Sequence, residues 1–156
     1  GTAVARGAPP LAEVVSAESM CGKTRRVALE GVVGGATDRI GLWLANGCGS
    51  PEQDLEEAQV LGPLLDAPVT SSKGTIGNAF ECSGLIDLVL SVRLLGNDRI
   101  PPVGLLNRQD PGIGGIDVVR TAPMKVRRLE RILVTAADHG RRSTAAGAVL
   151  IEAVQD

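Results

Sequence analysis

Residues 46–61 read NGCGSPEQDLEEAQVL, and the two parts of this stretch ask for different backbones. Asn46-Gly47-Cys48-Gly49 is turn-forming, because glycine accepts conformations closed to other residues and asparagine tolerates them. Ser50-Pro51-Glu52-Gln53 is a helix start, with Ser at the N-cap, Pro at the first helical position and an acid near the positive end of the macrodipole. This helix is expected to run to about Leu65. Immediately upstream, residues 39–45 (RIGLWLA) read as a buried strand that ends directly on the turn.

Working outward from this strand–turn–helix unit, residues 11–17 (LAEVVSA) have the apolar, β-branched centre of a strand, and the polar stretch through Arg26 reads as a loop. Residues 27–33 form a short helix closed by Gly34 and Gly35. After a short strand over 68–72, a second helix is predicted over 74–96, with apolar residues at Leu85, Ile86, Leu88, Val89, Leu90, Val92, Leu94 and Leu95. Apolar almost all round, it reads as a buried element. Residues 97–123 are rich in Pro and Gly with only 116–119 strand-like, and 131–137 and 146–154 read as two final strands. Strands alternate with helices, so the expected class is α/β, one domain over residues 1–156 without repeats or a linker.

Composition narrows the function classes. Trp43 and Phe80 are the entire aromatic content, so the core is built from Leu, Val, Ile and Ala, and 20 glycines favour close helix–strand contacts. A net charge of −2 supplies no field for nucleic acid, and the cluster Arg127, Arg128 and Arg131 reads as a solvated face. Cys21, Cys48 and Cys82 are odd in number without a CxxC spacing, and His139 is the single histidine, so neither a disulfide nor a metal site is expected. No apolar run approaches the ~20 residues that span a bilayer, so the expected setting is a reducing cytoplasm with no membrane association.

The stretch 46–61 resembles, without a gap, the β-ketoacyl synthase block HGTGTPxGDPxEAxAL, matching at Gly47, Gly49, Pro51, Asp54, Glu57, Ala58 and Leu61. Residues 71–102, SSKGTIGNAFECSGLIDLVLSVRLLGNDRIPP, resemble the second block of that family, KxxxGHxxxAAGxxxLIxxxLxLRxxxxPP. Here Lys73, Gly77, Gly84, Leu85, Ile86, Leu90, Arg93, Pro101 and Pro102 fall in place. The opening Ala5-Arg6-Gly7-Ala8 and residues 11–15 resemble the ARGAxxxAEVVG segment that begins the second half of those enzymes. The resemblance implies the C-terminal half of a thiolase-like fold, in which two related halves, each a mixed sheet with helices, pack as five αβαβα layers with buried helices between them. The family's first half has no counterpart in these residues and is expected from another polypeptide or another piece of a cleaved precursor.

The resemblance also fixes expectations for chemistry. The family's cysteine nucleophile lies in the first half, and two histidines of the second half assist decarboxylation and stabilise the oxyanion and enolate. Asn46 stands at the first histidine position and Asn78 at the second. An amide donates a hydrogen bond but cannot exchange a proton near neutral pH, so residual carbonyl binding is the most the pair offers. Glu57 and Lys73 match a carboxylate and a lysine that the resemblance pairs as a buried structural ion pair. Asp54 lies in the first turn of a helix, where a carboxylate is favoured locally. Cys48, at the family's threonine position, is a nucleophile only with a base beside it. His139 falls where the family has its glycine-rich FGFGGTNA loop, reflected here in Gly140, Thr144 and Ala145, while Arg141 and Arg142 are candidates for the phosphate of a carrier's phosphopantetheine arm.

Three functional readings follow. The first is a non-catalytic subunit resembling a chain-length factor, which pairs with a ketosynthase or a ketosynthase first half and meets an acyl carrier protein in polyketide or fatty-acid assembly. On this reading the chain needs no cofactor, is not an enzyme by itself, and within an active complex belongs to a 3-oxoacyl-[acyl-carrier-protein] synthase. The second is a remodelled acyl-transfer or hydrolytic enzyme using Cys48, Lys73 or His139. The third is a structural interaction domain without an acyl-related role.

Overall fold

A computed structural model describes residues 2–22, 24–33, 39–137 and 144–154. In chain order the elements are α1 (Thr2–Ala5), β1 (Glu13–Gly22), α2 (Arg25–Val33), β2 (Leu42–Leu44), α3 (Pro51–Leu61), β3 (Val69–Thr70), α4 (Lys73–Ile76), α5 (Ser83–Leu94), β4 (Arg99–Ile100), β5 (Met124–Lys125), β6 (Arg131–Ala137) and β7 (Thr144–Glu152). Five strands form one mixed sheet in the order β1-β7-β6-β2-β3, and β4 and β5 pair separately. β2 runs parallel to both β3 and β6, whereas β7 runs antiparallel to β6 and β1.

Alternation along the short central strand sends side chains to two cores. Trp43 points to the face covered by α2 and α3, with Leu29, Leu61, Leu133 and Leu150. Leu42 and Leu44 point to the opposite face, where Ile132, Val134 and Ile151 meet Leu88 and Val92 of α5. The result is an α/β/α arrangement in which the end of β2, the start of α3 and the start of α5 converge.

Several sequence expectations change in the folded chain. The polar segment read as a loop after residue 17 continues β1 to Gly22, because β7 supplies a backbone ladder as far as the Gly22–Thr144 pair; at a sheet edge, pairing overrides side-chain preference. α3 stops at Leu61 and gives way to a single 3-10 turn over Gly62–Leu64, where Pro63 cannot donate the next helical bond. Ser50 sits at the N-cap position but its side chain makes no capping bond. The helix predicted over 74–96 is two helices: α4 ends at Gly77, whose φ of 81° leaves the helical region, and α5 begins after a 3-10 turn over Phe80–Cys82. Of the strand-like residues 116–119, only Val118 forms a bridge, to Val69 of β3. β4 and β5, two residues each, are too short to leave a period in the sequence. The glycines predicted to close α2 lie outside the described residues.

α5 is apolar, but its buried side is partly polar. Ser83, Asp87 and Ser91, spaced one turn apart, are its buried residues, while Leu85 and Val89 are 66% and 63% exposed. Asp87 explains this inversion. Its carboxylate accepts a hydrogen bond from Ser72 and lies 2.9 Å from Lys73 Nζ, with both charged side chains almost fully buried. The pair ties α5 to α4. The N-terminal end of α4 in turn lies so close to the following loop that a Cβ on Gly74 would come within 2.0 Å of the Gly104 carbonyl oxygen.

Replacing Lys73 by Met leaves Asp87 buried without its cation and should cost about 3–5 kcal/mol in urea unfolding. Lys73→Met combined with Asp87→Leu should recover most of that loss; a double-variant loss equal to the sum of the two single losses would show that the two charges are not coupled.

Candidate functional site

The site is organised by two carboxylates on α3. Glu57 accepts hydrogen bonds from the backbone N–H of Asn46 (3.0 Å, to Oε1) and Gly47 (3.1 Å, to Oε2). One turn earlier, Asp54 accepts from the N–H of Cys48 (2.7 Å) and Gly49 (3.0 Å). Four consecutive amides of the turn after β2 are therefore held by side chains three residues apart, which a helix places on one face. Gly47 has a φ of 42°, and a Cβ there would meet Ser71 Oγ at 2.6 Å, so the turn needs glycine at this place.

Glu57 reaches further into the fold. Thr135 of β6 donates its hydroxyl proton to Glu57 Oε1 at 2.8 Å, and Thr135 Oγ1 accepts the indole N–H of Trp43 at 2.8 Å. The chain Trp43–Thr135–Glu57–Asn46 thus joins β2, β6, α3 and the turn. Burial pushes the Glu57 carboxyl above its ordinary value of 4.5; the bonds from Thr135, Asn46 and Gly47 pull the other way, and the Asp54 charge adds a smaller push upward.

The expected Glu57–Lys73 ion pair is not the one that forms. Lys73 pairs with Asp87, and Glu57 is satisfied by backbone amides and a hydroxyl. Sequence reading missed both actual partners, although each left a signal: Asp87 is the one acid in the apolar run GLIDLVL, and Thr135 is the one hydroxyl in RILVTAA. Asp54 has a structural role, but it grips the preceding turn instead of serving only the dipole of its own helix.

Asn46 and Asn78 each line a different cavity. Asn46 is 3% exposed, forms part of the wall of a cleft beside α5, and its amide nitrogen has no hydrogen-bond partner. Asn78 borders a different cavity of about 390 Å³, shared with Cys48, Lys73, Trp43 and Leu105. Its side-chain oxygen is turned inward, accepting from Phe80 N–H at 2.9 Å and Ser83 Oγ–H at 3.0 Å. That arrangement braces the 3-10 turn over Phe80–Cys82 against Ser83, the first residue of α5. Cys48 Sγ donates to the amide oxygen of Gln53 at 3.2 Å, an acceptor that cannot take a proton. His139, Gly140, Arg141 and Arg142 lie outside the described residues. Among those described there is no cluster of metal-ligating groups and no helix long and apolar enough to cross a membrane.

Because the folded state raises the Glu57 pKa, this residue stabilises the fold fully below its ordinary value of 4.5 and loses that contribution as pH rises through the higher folded-state pKa. Urea midpoints measured from pH 4 upward should therefore carry a decline that Glu57→Gln removes. The same variant should lose about 1–3 kcal/mol at neutral pH, since one of its amide hydrogens must face a donor. An unchanged pH slope in Glu57→Gln would contradict the assignment.

The sequence profile of the β-ketoacyl synthase C-terminal domain matches residues 12–106, more than half of the 156-residue chain. No curated protein sequence matches the chain. Among solved structures, the ishigamide ketosynthase/chain length factor superposes with a TM-score of 0.83 at 16% identity, over 99% of this chain and 41% of that one. A β-ketoacyl synthase from Burkholderia phymatum STM815 gives 0.81 at 18% identity, over 99% and 40%. AntDE:AntF, a type II polyketide synthase acyl-carrier protein in complex with its ketosynthase, gives 0.79 at 15% identity, over 98% and 41%. This chain thus spans well under half the length of each of these proteins, and at such identities the likeness is one of fold. The matched sequence blocks and the mixed sheet with helices on both faces make this chain a member of the β-ketoacyl synthase C-terminal domain family, with the architecture of one half of the thiolase-like fold.

Proposed function

We propose that the chain is the second half of a ketosynthase-like unit of the chain-length-factor type, which shapes an acyl-binding complex without performing the condensation itself. The observation that carries this reading is the pair of amides at the family's histidine positions. Neither Asn46 nor Asn78 exchanges a proton, and they line separate cavities. Among the described residues, the two ionisable groups that match the family are engaged: Glu57 with the turn amides and Thr135, Lys73 with Asp87.

The partner follows from the surface. Leu85 and Val89 of α5 are exposed opposite the helix's buried Asp87, and Phe80 in the turn that leads into α5 is exposed as well. Isolated apolar residues are ordinary on a surface, but several on one buried-type helix mark an interface. A ketosynthase first half covers that face in this proposal, carried by another polypeptide or by a connected stretch of chain. Of the solved relatives, one is a ketosynthase/chain length factor and another holds an acyl-carrier protein against its ketosynthase, and the same two partners are proposed here. Contact with a carrier's phosphopantetheine arm belongs to the same proposal, with Arg141 and Arg142 as its phosphate ligands.

A second reading, acyl transfer on Cys48, draws on the cavity that this thiol shares with Lys73 and Asn78. Native mass separates the readings. The chain purified with its complementary ketosynthase partner should run as a stable complex, and Leu85→Glu with Val89→Glu should abolish it while leaving the free chain folded. In the complex, Cys48→Ser should leave the condensation rate within about threefold, whereas a loss of about 100-fold would transfer the chemistry to this chain. A folded monomer that ignores ketosynthase partners would overturn the proposal.

A further inference from the structure

Positive charge gathers at the end of the sheet away from the candidate site. Residues 93–99 and 124–130 carry Arg93, Arg99, Lys125, Arg127 and Arg128 against Asp98 and Glu130, in a chain whose net charge is −2. β4 and β5 bring the two stretches together, and their antiparallel register sets Arg99 directly opposite Lys125. The contact continues beyond the ladder: Val126 N–H donates to the Asp98 carbonyl, and a Cβ on Gly96 would meet the Arg128 guanidinium at 3.7 Å. All five cations are exposed. Among the described residues, none of them forms an ion pair or a side-chain hydrogen bond.

Like charges directly opposite each other in an antiparallel pair are destabilising, and here they make up half of a ladder two residues long. The ribbon is held from its other side, where Ile100 and Met124 join the core, so its outer face keeps an unneutralised pair of cations. Beside Arg128 lies a cleft of about 210 Å³ whose other walls are apolar, with Pro9, Pro10 and Leu11 before β1, Leu95 after α5 and Val154 after β7.

The two features together select an occupant. A small phosphate ligand needs donors that converge in one pocket, whereas these cations stand on open surface and the cleft beside them is apolar. A nucleic-acid backbone would use the charges but not the cleft, and the chain's net charge opposes a long polyanion. An acidic peptide segment uses both, with carboxylates on the guanidinium groups and one apolar side chain in the cleft. Position separates this surface from the candidate site. β6 begins at Arg131, next to the patch, and ends at Ala137, which shares a cleft with Asn46; a strand of that length puts about 20 Å between them.

We infer that the outer face of the β4–β5 ribbon is a docking surface for an acidic segment of a partner protein, whose carboxylates lie along Arg99, Lys125 and Arg127 and whose apolar residue fills the cleft at Arg128. Such a partner is tethered to the chain at the end remote from Asn46, which sets this surface apart from the carrier contact proposed above. The inference uses none of Phe80, Leu85 and Val89, the residues assigned to the other half, and stands whether or not that half binds.

The test is fluorescence anisotropy of the full chain with three labelled probes: a short Glu-rich peptide with one central Leu, the same peptide with Ser in place of that Leu, and an oligonucleotide of matched charge. The Leu peptide should bind about tenfold more tightly than either of the others, and its affinity should fall at least about tenfold between low and high salt. Lys125→Glu should weaken it about tenfold while raising the thermal midpoint of the free chain, because an opposite-charge pair replaces a like-charge one. Leu11→Ser, at a residue 71% exposed, should bring the Leu peptide down to the affinity of the Ser peptide without moving the midpoint. An oligonucleotide that binds as tightly as the Leu peptide, or inorganic diphosphate that displaces the peptide at equal concentration, would reveal a general anion surface and overturn the inference. Peptide binding that neither variant alters, or no peptide binding at all, would overturn it as well.

Discussion

Two carboxylates on one helix, Asp54 and Glu57, hold four successive backbone amides of the turn after β2, and the rest of the site is arranged around that grip. Without it, the Asn46 amide would be a buried donor left unpaired, at a cost of about 1–3 kcal/mol, and the more accessible amides of Gly47, Cys48 and Gly49 would turn to solvent. With it, the turn takes one path, Asn46 is set against the sheet, and Cys48 is turned toward Gln53. Glu57 also carries the constraint inward through Thr135 to Trp43, so the geometry of the turn and the packing of the central strands are one network. Its carboxylate stays buried without a cation, and the raised pKa is the mark of that cost.

The second constraint is the inverted helix α5. A helix that buries Ser83, Asp87 and Ser91 and exposes Leu85 and Val89 contradicts the ordinary amphipathic pattern only if it has a single covered side. In a layered fold with a further half above it, both sides are covered and the pattern is consistent. The Lys73–Asp87 pair ties the helix to α4, and the apolar side is the one we propose to be covered by the other half.

How much of this is legible in sequence depends on the range of the interaction. The strand–turn–helix unit around residues 39–61 is readable because each signal is local: a β-branched and aromatic run, an Asn-Gly turn, a proline at the first helical position. The final strands are legible for the same reason, and β6 is observed over the predicted Arg131–Ala137. β1 extends beyond its apolar centre because β7, more than 120 residues away in the chain, pairs with it. The pairing of Lys73 with Glu57 is what the family resemblance implies, whereas the choice between Glu57 and Asp87 is made by tertiary packing. Asp87 stands 14 residues after Lys73 on an element whose break at Gly77 is invisible to helical periodicity.

The amides at positions 46 and 78 carry the proposed reading. Asn78 braces the turn that leads into α5, and Asn46 is a buried donor without a partner in the wall of the cleft beside α5. The central claim is that this face is completed by a second ketosynthase half. Hydrogen exchange by mass spectrometry, on the chain alone and bound to that half, tests it most directly. The account predicts that protection on binding concentrates in residues 80–94 and around Asn46, with little change in α2 and β4. Protection confined to α2, or absent from 80–94 in a complex that does form, would contradict it.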